Sequence, residues 1–97
     1  MSGEEKPRLE ATEQGYRLSG PLTFATVPEL ARMEAPGGEV DLGGVTRADS
    51  AGLALLLDWL AGARRSAIPL EFHHLPAQLD AIARVSGIVE VLDHDHG

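Results

Sequence analysis

The sequence predicts an α/β domain: one mixed β-sheet of about four to five strands with helices packed on it. Three observations lead there. After an opening hairpin, short apolar runs alternate with helix-periodic runs, the pattern of strand–helix–strand units. Val40-Asp41-Leu42 is short and mostly apolar, as a central strand is. Ser50 to about Arg65 is a long, very apolar helix that needs a sheet to cover. With 97 residues the chain makes one domain with a small core.

The elements follow in order. Residues 1–7 are polar and charged and read as a flexible N-terminus. Arg8–Thr12 and Tyr16–Ser19 alternate weakly around Glu13-Gln14-Gly15, the signature of a hairpin. Gly20-Pro21 is expected to break the second strand. Thr26-Val27-Pro28-Glu29 has the residues of a capping box with Pro in the first turn. Val27, Leu30 and Ala31 then face the core at helical spacing, and Pro36-Gly37-Gly38 ends this helix. Asp41-Leu42-Gly43-Gly44 reads as a turn after the short strand. Ile68 to His74 is a further strand, with Pro69 at its start where a missing N–H is tolerated. Pro76 to about Ser86 is a third helix, with Leu79, Ile82 and Ala83 on one face and Gly87 as its stop. Ile88–Leu92 is a candidate final strand. Residues 8–92 therefore form the folded domain, and 93–97 a flexible His/Asp tail.

Composition excludes several functions. The net charge of -7 disfavours nucleic acid, because phosphate contacts need clustered Lys and Arg, and equally disfavours unaided binding to anionic lipid. An acidic chain can instead dock on a basic protein surface. Without cysteine there are no disulfides, thiolate metal sites or thiol catalysis. The longest apolar run, around Leu53–Ala63, is far below the ~20 residues that span a bilayer, so direct membrane insertion is not expected. No charged start followed by an apolar run marks a signal peptide, and the expected compartment is the cytoplasm.

Asp49-Ser50-Ala51-Gly52 opens the long helix. Either Ser50 or Asp49 can cap it, a contribution of ~1 kcal/mol, and a carboxylate here also complements the helix dipole. The same position suits a polar partner contact or a phosphorylated serine, since phosphate at a helix N-terminus meets the dipole. Gly52 lets another backbone or a partner come close. On a helical wheel of ~100° per residue, Leu53, Leu56, Leu57 and Leu60 form a core stripe. Leu55 and Trp59 fall on the other side, near Ala51 and Gly62. Either another helix covers them or they form an exposed apolar docking patch with Trp59 as anchor.

No enzyme constellation is evident. Ser50 has no G-x-S-x-G context, and no phosphate loop is present. His73 and His74 are adjacent on a strand, so their side chains are expected on opposite faces and not on one metal. His94 and His96, with Asp93 and Asp95, read as a solvated tail. No cofactor, metal or catalytic residue is expected.

Val40-Asp41-Leu42 … Asp49-Ser50-Ala51-Gly52-Leu53 resembles the STAS domain family, which includes bacterial anti-sigma factor antagonists and the cytoplasmic ends of some anion transporters. The element order from about Arg8 to Leu92 fits the same family. In its sigma-factor switches the hydroxyl residue at this helix start is phosphorylated, and that role maps onto Ser50. Gly44–Leu57 looks most like the MlaB branch, small STAS subunits of Gram-negative ABC transporters that move phospholipids between inner and outer membranes. That resemblance implies a non-enzymatic accessory subunit. It would bind the cytoplasmic ATPase subunit, with its permease, and sit peripheral to the inner membrane through that partner. Carried over, the contact residues are Asp49, Ser50 and Ala51, with Leu55 and Trp59 as the docking face. The rival expectation is an anti-sigma factor antagonist switched by phosphorylation of Ser50. The branch often carries Thr where Ser50 stands, whereas Ser is typical of the antagonists.

Overall fold

A computed structural model describes residues 6–33 and 35–87 of the chain. The expected strand Ile88–Leu92, the tail 93–97 and residues 1–5 lie outside the described residues. Four strands, β1 (Arg8–Ala11), β2 (Gly15–Leu22), β3 (Gly38–Ala48) and β4 (Leu70–His73), form one sheet in the order β1-β2-β3-β4. The β1/β2 pair is an antiparallel hairpin, while β2/β3 and β3/β4 are parallel. Parallel neighbours need crossovers. The helices α1 (Val27–Ala31) and α2 (Ser50–Arg65) supply them, and α3 (Ala77–Ser86) follows β4. The mixed sheet and the α/β class are as expected.

One sheet face is apolar. Leu18, Val40, Leu42, Leu70 and Phe72 are buried there and join Leu30, the α2 leucines, Leu79 and Ala83 in one core. The other face is polar and open. Cross-strand partners Arg17 and Asp41 form an ion pair at 3.1 Å, and Asp41 in turn stands beside His73.

Several local expectations are corrected. Gly20-Pro21 does not break β2, which runs to Leu22. Pro21 is tolerated because β1 ends at the Arg8–Ser19 pair, so β2 has one neighbour from there on, and the register shifts between Gly20 and Pro21. The short strand at Val40–Leu42 is part of an 11-residue strand, and Gly43-Gly44 lies inside it rather than in a turn. A Cβ at Gly44 would stand 2.7 Å from that of Ser19, so glycine is what lets β2 and β3 close up.

The capping box at Thr26 does not form. Its hydroxyl donates to the Pro21 carbonyl and accepts from the Thr23 N–H, so it ties the preceding loop instead of the helix. The helix α1 ends at Ala31, well before Pro36, and Ala31 is exposed. Pro7 is buried and its Cα would lie 3.1 Å from a Cβ at Gly20, so the fold begins before Arg8. The β4 strand and α3 match expectation to within two residues, and Gly87 closes α3 in the left-handed conformation at φ 74.

A carboxylate-capped helix start displaying Ser50

Asp49, not Ser50, is the N-cap of α2. It has extended backbone (φ -136, ψ -169), and Oδ1 accepts from the N–H groups of Ala51 at 2.9 Å and Gly52 at 3.3 Å. Its second oxygen accepts from the Phe24 N–H at 2.9 Å. One carboxylate thus fixes both the helix start and the loop that follows β2. The Phe24 N–H, and then those of Gly52 and Ala51, hold the Asp49 carboxyl below the usual range, because each bond favours the charged form.

The backbone is drawn tight at the same point. The Asp49 N–H donates to the Leu22 carbonyl at 3.3 Å. A Cβ at Gly52 would stand 2.4 Å from that carbonyl oxygen, so only glycine lets the first turn of α2 seat on the end of β2. The close approach expected of Gly52 is therefore to this chain's own backbone.

With the cap made by Asp49, Ser50 is left displayed. It is exposed, and among the described residues its hydroxyl has no hydrogen-bond partner. The loop tied to the same Asp49 carboxylate carries Phe24, 79% exposed although it is aromatic. Nothing in the sequence around Phe24 sets it apart as a surface residue. Its significance comes from the hydrogen bond of its N–H to a side chain 25 residues away.

Ser50, Ala54, Asp58, Ala61 and Arg65 recur every three or four residues along α2, and all five are exposed. They make one solvent stripe that begins at Ser50 and is lined mainly by small side chains. Ala51 and Leu57 flank it, half-buried.

Leu55 and Trp59 are not part of this surface. They are 4% and 3% exposed and belong to the core. Both α1 and α3 pack against α2, which therefore buries apolar side chains over more of its circumference than a helix covering a sheet alone. The exposed patch expected of Leu55 and Trp59 is thereby overturned, and the exposed side of α2 is the opposite one.

His73 and His74 depart from expectation too. His74 follows the last residue of β4 with φ 62, so strand alternation does not carry across it. Its Nδ1 lies 2.9 Å from Asp41 Oδ1, and both histidines line one groove on the open sheet face with Glu39 and Asp41. The Asp41 carboxyl is lowered first by the Gly43 N–H and then by His74. The residues His94 and His96 lie outside the described residues.

The chain thus combines a small mixed sheet covered by helices with a hydroxyl displayed at the helix start after its longest strand. The family model described as "Mlab, STAS domain" matches residues 8–93, and the chain belongs to that family. No curated protein matches it. Among the described residues, no helix is long and apolar enough to cross a membrane.

Proposed function

We propose that this chain is a non-enzymatic accessory subunit of a phospholipid ABC transporter that maintains outer-membrane lipid asymmetry. It binds the cytoplasmic ATPase subunit and is held near the inner membrane by that partner. The observation that carries this reading is the family match over residues 8–93, to the MlaB type of STAS domain. The surface offered to the ATPase is the start of α2: Asp49, Ser50 and Ala51, the exposed Phe24, and the stripe through Ala54 and Ala61. Small side chains let a partner helix or loop approach the α2 backbone closely, and Phe24 supplies an aromatic anchor at its edge.

The experiment is affinity purification from native cells with mass spectrometry of the recovered proteins, for the natural chain and for Ala54→Arg. Recovery of an ABC ATPase with its permease, lost in Ala54→Arg, supports the reading. Recovery of an anti-sigma kinase overturns it.

That second outcome is the anti-sigma factor antagonist, and one observation favours keeping it. Because Asp49 makes the cap, phosphorylation of the exposed Ser50 would leave the helix start intact while adding charge to the docking surface. Such a protein would lose its partner on Ser50→Asp and regain it with Ser50→Ala.

A further inference from the structure

We propose that Glu39, Glu71 and His73 form a binding site for one divalent cation of the zinc class, on the open sheet face remote from Ser50. Register brings them together. Glu39 of β3 and Glu71 of β4 are direct cross-strand partners, and His73 lies two residues after Glu71, on the same face. Two carboxylates directly opposite one another repel, so this pairing is unfavourable unless a positive charge stands between them.

The geometry fits a metal better than a hydrogen bond. His73 Nε2 lies 3.3 Å from Glu71 Oε1 and 3.5 Å from Glu39 Oε1. Ligand atoms bound tetrahedrally at zinc distances of about 2.0–2.1 Å stand about 3.3 Å from each other. One atom from each of the three side chains lies within 4.8 Å of the others. The Nε2 atom is shielded from solvent and has no hydrogen-bond partner, although the His73 side chain as a whole is 38% exposed. A protonated imidazole would aim its N–H at one carboxylate, and neither contact has that geometry. An imidazole nitrogen with two carboxylate oxygens is a donor set that zinc accepts, and the pair of glutamates neutralises the ion. The groove beside the cluster gives water access to a fourth position. Bound there, the cation would clip β4 to β3.

The test is calorimetric titration of zinc chloride into the full chain, paired with imidazole nitrogen NMR. The tail histidines His94 and His96 are a competing ligand set in the sequence, so a H94A/H96A chain is titrated beside it. The expected result is one ion per chain in both, a shift of the His73 Nε2 resonance, and loss of affinity by about tenfold or more in E39Q, E71Q and H73Q. Circular dichroism shows whether each variant is folded, and the exposed glutamates keep the test open if H73Q is not. Binding that disappears with H94A/H96A but survives E39Q and H73Q overturns the proposal, as does the absence of any binding.

Discussion

At the scale of the residue, Asp49 ties three backbone N–H groups from two segments to one carboxylate. Asp49→Ala removes the helix cap and frees the Phe24 loop together. We expect a loss of about 1–2 kcal/mol, measured by urea unfolding. The pH dependence has a definite sign. The folded carboxyl is lowered, chiefly by the Phe24 N–H, so the native state binds fewer protons than the unfolded chain. Its contribution is present in full above the ordinary aspartate value and is lost as pH falls through the lowered one. The stability gap between the natural chain and Asp49→Ala is therefore constant near neutrality and closes in acid. A gap that widens in acid would contradict this role. Gly52 is the second residue on which the helix start depends. Gly52→Ala places a methyl group 2.4 Å from the Leu22 carbonyl oxygen, and backbone cannot yield as a flexible side chain does. The helix must lift from β2, at a cost of about 1–3 kcal/mol, despite alanine's better helix propensity. An unchanged or raised melting temperature would mean that this contact is relaxed in solution.

At the scale of the element, α2 shows what a sequence carries and what it leaves out. Its boundaries were legible, because an Asp-Ser start and a sustained helical period are local signals. The alternation of strands and helices likewise gave the α/β class. Which side of α2 meets solvent was not legible. Leucines on one side and Leu55 with Trp59 on the other describe equally a helix with a docking patch and a helix flanked by neighbours. Only the packing of α1 and α3 decides, and it buries Trp59 to 3%. Ala54 and Ala61, which look like filler in the sequence, become the outer surface. The Glu39–Glu71–His73 cluster was hidden for a related reason, since cross-strand register is not written in either strand alone. Trp59 now carries a stability prediction. Trp59→Ala should cost about 3–5 kcal/mol by thermal or denaturant unfolding, a large share of what a 97-residue domain has. Any loss of partner binding should then track the unfolded fraction. A stable Trp59→Ala protein that fails to bind its partner would restore Trp59 to the interface.

At the scale of the whole molecule, the charge of -7 and the shape of the α2 surface would act on different steps of the proposed association. Net charge acts over distances up to about a Debye length, well beyond contact, so it governs encounter with a basic partner surface. In the proposed complex the Phe24 ring and the alanine stripe would act only on contact, and so would govern how long it lasts. If the proposed partner surface is basic, raising salt from about 50 to 500 mM, which shortens the Debye length severalfold, should slow association while leaving dissociation nearly unchanged. Phe24→Ala should do the opposite, speeding dissociation with association unaffected. Because Phe24 is 79% exposed, this substitution removes almost no core contact and should leave the melting temperature within about 2–4 °C. Surface plasmon resonance on the purified partner separates the two rates. Salt acting on dissociation would place charged pairs inside the interface, with Asp58 of the stripe the first residue to neutralise. A Phe24→Ala chain with natural kinetics would move the docking surface away from the start of α2.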